Sequence, residues 1–275
     1  MEKIKRLIAV NDMSSIGRCS LTVIIPVLSA MGVQVCPVVT ALYSTHTGFK
    51  APAKADMTKF IPEVTKHWSS IGATFDAVYS GYLGSEEQIG MTEELIDRFP
   101  CGIVLVDPVM GDNGKAYSAF SPEMCGNMSR LCRKANVITP NLTEAAILLG
   151  EDYSAAPSEE HGMTKWLERL SEGKRSVVIT GLELCEGTLG CGCYDAEKNR
   201  VSFIYNERFG GYFPGTGDIF SSVLLGGLMK GKLLADSVKQ AAEFVGLCVK
   251  TTAEVGSVPM EGVLLEGLLY RLIEI

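Results

Sequence analysis

The chain has 275 residues, 47% of them apolar and 21% charged, with 29 glycines and 11 prolines, a composition that excludes a disordered or fibrous protein. Lysine and arginine total 25 against 32 acidic residues, a formal charge of −7, which weighs against a nucleic-acid or anionic-membrane binder because either needs a basic face. Nine cysteines without a paired CxxC framework point to reduced thiols rather than structural disulfides.

Residues 7–10 supply only four apolar residues before Asn11 and Asp12, too few for a secretory segment. The apolar stretch from Leu21 is broken by Pro26, Ser29 and Gly32, and no window reaches the roughly 18 residues that cross a bilayer, so a cytoplasmic protein is expected. Residues 7–10 read as a first strand, followed by a helical pattern over 16–30 and a second strand over 33–40. Further short apolar runs at 76–79, 103–106, 137–139 and 176–180 alternate with helix-like segments such as 86–98 and 142–149. Residues 189–194 and 201–205, with Asn199 near the turn between them, read as an antiparallel edge hairpin, and the Cys191-Gly-Cys193 spacing reads as small residues on that strand. Helices are expected over 216–229, 235–250 and 263–273. The alternation predicts an α/β protein with a mostly parallel sheet covered by helices, in one domain over residues 1–275. Chemistry is then expected in the loops that follow strands.

Gly215-Thr-Gly-Asp218 runs directly into an apolar helix. Its glycines let successive N–H groups turn toward one point, and the helix start adds unpaired donors and a positive dipole end, so the segment reads as an anion hole. Asp218 either complements the dipole or acts as a general base beside that hole; the residues alone leave both open. A decoy follows: Gly226-Gly-Leu-Met-Lys-Gly-Lys232 has the spacing of a phosphate-binding P-loop, but it ends in Leu233 rather than a hydroxyl residue and follows a helix. It reads as a helix C-terminus with Gly231 just beyond it. Asp107 and Asp112 flank a Pro/Gly turn after the strand at 103–106, where they could attract Mg²⁺ or merely cap the turn. Thr139-Pro-Asn141 with Glu144 opens a helix and reads locally as a capping box, and Thr180-Gly181 as a turn.

Together these segments, with Ser44-Thr-His-Thr-Gly-Phe49, Ser80-Gly-Tyr-Leu-Gly-Ser85 and Asp107-Pro-Val-Met-Gly111, resemble the ribokinase-like superfamily and most closely its pyridoxal kinase (vitamin B6 kinase) branch, over essentially the whole chain. The resemblance implies a three-layer α/β/α sandwich and ATP-dependent phosphorylation of the hydroxymethyl group of pyridoxal, pyridoxine or pyridoxamine by a homodimer. It implies that Asp218 is the base and that the N–H groups of Gly215, Thr216 and Gly217 stabilise the migrating phosphoryl. Asp112 and Glu144 would organise Mg²⁺, Asn141 would face the nucleotide phosphates, with Thr180 and Thr216 nearby, and a K⁺ or Na⁺ site would lie near Asp107, Thr139 and Thr180. His46, Thr47 and Tyr82 fall where the family builds its pyridine pocket; a lone loop histidine is otherwise most often a solvated residue. Aligning Gly17 puts Asp12 where pyridoxal kinases carry a serine, with Ser14 and Ser15 adjacent, so any of the three could contact the acceptor. An aspartate there is similar to hydroxymethylpyrimidine kinases, which makes that activity the alternative; a catalytically silent vitamer-binding protein is the other. Residues 42–50 are expected to form a loop that closes over the acceptor.

Overall fold

The computed structural model describes residues 3–117 and 120–273. In chain order the strands are β1 (Arg6–Ile16), β2 (Gln34–Thr45), β3 (Lys54–Asp56), β4 (Ala77–Ser80), β5 (Ile103–Val106), β6 (Gly111–Asp112), β7 (Lys115–Ala116), β8 (Val137–Ile138), β9 (Ser176–Leu182), β10 (Thr188–Asp195) and β11 (Arg200–Glu207). The α-helices are α1 (Leu21–Ala30), α2 (Ile61–Ser70), α3 (Glu86–Arg98), α4 (Pro122–Cys132), α5 (Leu142–Leu149), α6 (Glu160–Ser171), α7 (Thr216–Met229) and α8 (Leu234–Val255).

Nine of the strands form one sheet in the order β11-β10-β9-β8-β5-β4-β1-β2-β3. The run from β9 to β2 is parallel, and β10, β11 and β3 join antiparallel at the two ends. Strand alternation sends successive side chains to opposite faces, and both faces are buried. Leu7, Ala9, Ala77, Tyr79, Leu105 and Val178 pack with α1, α7 and α8, whereas Ile8, Val10, Val78, Val106 and Ile179 pack with α2 to α6. The result is the expected α/β/α sandwich with an edge hairpin, and Cys191 and Cys193 lie buried on that hairpin as free thiols. Among the described residues no helix is long and apolar enough to cross a membrane.

Several boundaries differ from expectation, four of them at elements near the site or the C-terminus. The strand expected over 7–10 runs on to Ile16, across a bulge between Asn11 and Met13, because Met13, Ser14 and Ile16 continue to pair with β2. Pairing across the sheet thus extends a strand that its own polar residues disguise, and the helix expected from residue 16 begins at Leu21. On the other side β2 reaches Thr45 and pairs with β3, so half of the loop expected over 42–50 is strand. The segment 263–273 is not an α-helix but a 3₁₀ stretch, Glu266–Leu272. Its bonds include Leu268 N–H and Leu269 N–H to the Leu265 carbonyl and Ile273 N–H to that of Tyr270, and Val263, Leu265 and Leu272 fill the core.

Candidate active site

The parallel strands end at a common edge, and the loops that begin at Ser44, Ser80, Asp107 and Thr139 lie at or just beyond the ends of β2, β4, β5 and β8. The start of α7 is brought to the same edge by contact with the turn between β1 and α1. Gly215 caps α7 at φ +82°, and a Cβ there would stand 1.9 Å from the Arg18 carbonyl oxygen and 2.8 Å from Cys19 Cα. Both the backbone angle and the close approach exclude any other residue. Among the described residues no side chain caps the helix, whose N-cap is glycine, and the Thr216 hydroxyl donates to the Phe213 carbonyl at 3.1 Å. The first-turn N–H groups therefore form an anion-binding end. A Cβ on the exposed Gly217 would meet only Asp107 Oδ2, at 3.9 Å, which leaves room for a ligand against the backbone.

Asp218 stands in this first turn. Its Oδ2 accepts the Ser20 N–H at 2.7 Å and its Oδ1 accepts Asn11 Nδ2 at 3.2 Å. Burial pushes its carboxyl up to about 6, against the Ser20 N–H, while the charge of Asp12 adds to the rise. Ser20 holds φ +52°, a conformation that costs a serine on the order of 1–3 kcal/mol and aims its N–H at Asp218. Its hydroxyl donates to Asp12 Oδ1 at 2.6 Å, and burial raises the Asp12 carboxyl as well. Ser14 is buried and turned toward Asp12, with its hydroxyl 3.4 Å from Oδ2, whereas Ser15 is exposed. The bulge and alternation of β1 therefore bring Asp12 and Ser14 to the site and leave Ser15 outside it.

The neighbouring wall is acidic. Asp107 Oδ2 accepts the Ser221 hydroxyl at 3.2 Å, and Ser221 in turn lies 3.0 Å from the Thr139 hydroxyl. Burial, then the charge of Asp218, raises the Asp107 carboxyl. Glu144 is buried and raised well above the usual carboxylate range, by burial first and Asp107 second. Its oxygens accept the N–H groups of Met110 (3.1 Å) and Asn141 (2.8 Å). Asn141 completes the capping box by accepting the Glu144 N–H, and its Nδ2 donates to the Gly111 carbonyl at 2.8 Å. Asp112 is half-buried and accepts the Asn113 N–H, and Thr180 continues the sheet edge beside Asn141. No lysine or arginine among the described residues ion-pairs with Asp12, Asp107, Glu144 or Asp218. No three His, Cys, Asp or Glu side chains among the described residues gather as a metal cluster.

His46 is not a solvated loop residue. Its Nε2 lies 2.6 Å from the Met260 carbonyl and its Nδ1 accepts the Gly48 N–H at 3.1 Å, partners that assign the hydrogen to Nε2. A Cβ on Gly17 would lie 2.8 Å from its ring, so the ring packs against the loop after β1. Thr47 is exposed. Tyr82 is half-buried, with its ring 6.4 Å from that of Phe120 and its N–H donating to Asn11 Oδ1 at 3.0 Å.

Sequence reasoning missed Asn11, Ser20, Ser221 and Tyr79. The only signal for Ser20 is its place before an apolar helix, an ordinary N-cap position, and Ser221 is hidden inside α7. The Tyr79 hydroxyl is buried and finds no hydrogen-bond partner among the described residues; burial and the charges of Asp218 and Asp107 hold its phenol well above its ordinary range.

Comparison with known proteins finds similar chains across the whole fold. Residues 25–261 match the family model described as phosphomethylpyrimidine kinase. A Bacteroides thetaiotaomicron protein solved with pyridoxal superposes with a TM-score of 0.93 at 38% identity, covering 98% of this chain and 96% of that one. Pyridoxal kinase from Lactobacillus plantarum superposes with a TM-score of 0.92 at 30% identity, over 99% and 98% of the two chains. A Schizosaccharomyces pombe protein is 29% identical over 205 residues, 70% of this chain and 58% of its own length.

Proposed function

This chain belongs to the phosphomethylpyrimidine kinase family, in the group of the ribokinase-like pyridoxal kinases, and from that premise we propose that it transfers the terminal phosphoryl of ATP to the hydroxymethyl group of B6 vitamers. The observation that carries the reading is Asp218: a carboxylate raised to about 6 in the first turn of a helix that no side chain caps. Phosphoryl transfer to an alcohol needs positioning, charge stabilisation and removal of one proton, with little covalent work by the protein.

In this reading the N–H groups at Gly215, Thr216 and Gly217 hold the migrating phosphoryl, and Asp218 takes the hydroxyl proton as the oxygen attacks. A base near 6 is mostly ionised at neutral pH yet more basic than an exposed aspartate, which suits it to that proton. Asp12 and Ser14, rather than Ser15, face the acceptor, together with His46, Thr47 and Tyr82. Asn141, Thr180 and Thr216 serve the nucleotide. Asp107, Asp112, Thr139 and Glu144 would hold the cations. The carboxylates of Asp107 and Glu144 are buried with no lysine or arginine partner among the described residues, and such oxygens are donors of the kind a hard divalent ion satisfies, which supports Mg²⁺ beside them, with K⁺ or Na⁺ nearer Asp107, Thr139 and Thr180. Bound Mg²⁺ would supply neutralisation of phosphate charge.

The proposal includes a cytoplasmic setting, supported by nine free thiols, and a homodimer, to be checked by light scattering. The deciding experiment is ADP release with ATP, Mg²⁺ and a panel of acceptors. Pyridoxal-dependent release is expected. Release with hydroxymethylpyrimidine alone would move the chain to the alternative reading, a hydroxymethylpyrimidine kinase, and release with neither would leave a binding protein.

A further inference from the structure

Alternation along β1 puts Asn11 on the same face as Leu7 and Ala9, toward α7, at the last position before the bulge. It is 1% exposed. Its Oδ1 accepts two backbone N–H groups, from Asp12 at 2.9 Å and from Tyr82 at 3.0 Å. With the acceptor atom thus spoken for, the amide has one orientation, and Nδ2 is turned to Asp218 Oδ1 at 3.2 Å. Gly81 is shaped around this amide, since a Cβ there would stand 2.2 Å from Nδ2. The Ser20 N–H holds the other carboxylate oxygen at 2.7 Å. One donor on each oxygen fixes the rotation of the carboxylate, and β1, the loop after β4 and α7 meet at a single side chain to do it.

We propose that Asn11 is the positioning residue of the base, holding the Asp218 carboxylate so that a lone pair faces the acceptor hydroxyl; this rests on the reading of Asp218 given above. Donors fixed in advance at a reacting carboxylate cost no reorganisation during the transfer, and misplacement of such a group lowers turnover rather than substrate binding.

The test is Asn11→Asp, which has the same shape and keeps an oxygen to accept the Asp12 and Tyr82 N–H groups but puts a second oxygen where Nδ2 donated. The expected result is a cooperative melt, KM for ATP and for pyridoxal within about threefold of the wild type, and kcat lower by about ten- to a hundredfold, the scale of one hydrogen bond to a charged group. Gly81→Ala is the second variant. It pushes the amide aside without changing its chemistry and should also lower kcat at least tenfold with KM for ATP unchanged. A folded Asn11→Asp variant with kcat within twofold of wild type, or with its whole loss in KM, overturns the proposal, and Gly81→Ala decides on the same criteria if the first variant does not fold. If neither folds, Asn11 belongs to the fold and the proposal falls. A wild-type protein with no pyridoxal-dependent ADP release would instead reject the functional reading itself.

Discussion

The two ends of α7 carry the same backbone signature and do different things. Gly215 before the helix and Gly231 after it both hold φ +82°. At the first, a side chain would strike the Arg18 carbonyl; at the second, nothing lies within 4 Å of where it would go. The C-terminal end is closed by its own chain, with the Lys230, Gly231 and Lys232 N–H groups donating to carbonyls of the last turn. At the N-terminal end no side chain caps the helix, and the polar side chains and backbone of another segment surround a carboxylate there. The sequence that looks most like a phosphate loop, Gly226 to Lys232, is at the closed end. A glycine-rich spacing therefore says little until one knows which groups of the helix terminus are spent on the chain itself.

The largest effect is expected at the open end. Asp218→Asn should lower kcat by about 10²- to 10⁴-fold, measured by ADP release with saturating pyridoxal; near-normal turnover would erase the distinction between the two ends. The same substitution should stabilise the fold at pH 7. The ordinary value of 3.8 rises to about 6 in the folded protein, so the folded state binds the extra proton and stability falls as pH rises from about 4 to 6. That cost is on the order of 3 kcal/mol, and the variant should melt above the wild type at pH 7 with the gap closing toward pH 4. Gly215→Ala should follow, losing about 3 kcal/mol of stability from the positive φ and the contact with Arg18, and at least tenfold in turnover. Next is the acid limb of kcat/KM, which should bend near pH 6 and fall tenfold per pH unit below it; a bend near 4 would place the base in water. At the closed end, Gly231→Ala should cost only about 1–2 kcal/mol for its left-handed conformation and leave kcat unchanged. Lys232 is held by Gln240 at 3.0 Å, so Lys232→Ala should leave KM for ATP within twofold.

Much of the molecule was readable from local signals. The expected helices 86–98, 142–149 and 216–229 match α3, α5 and α7 at both ends, because their apolar spacing and the residues that bound them, Ser85, Asn141 and Gly215 at the N-terminal ends, are close in sequence. Gly215 to Asp218 was readable for the same reason, its glycines and the following helix being neighbours in sequence. By contrast β1 was read too short. Asn11, Asp12 and Ser14 look like loop residues, and only pairing with β2 keeps them extended. The 3₁₀ stretch at Glu266–Leu272 was read as α-helix because its apolar residues have helical spacing, whereas what they serve is contact with the core.

The sequence by itself determined the alternation of strands and helices, the glycine turn and the carboxylate at position 218, since each depends on residues a few positions apart. The tertiary structure decided which groups hold that carboxylate. Ser20 is 198 residues from Asp218 along the chain and Asn11 is 207. Nothing in a polar residue after a strand or a serine before a helix specifies a partner so far away; that choice was made by packing α7 against the face of the sheet that carries Leu7 and Ala9.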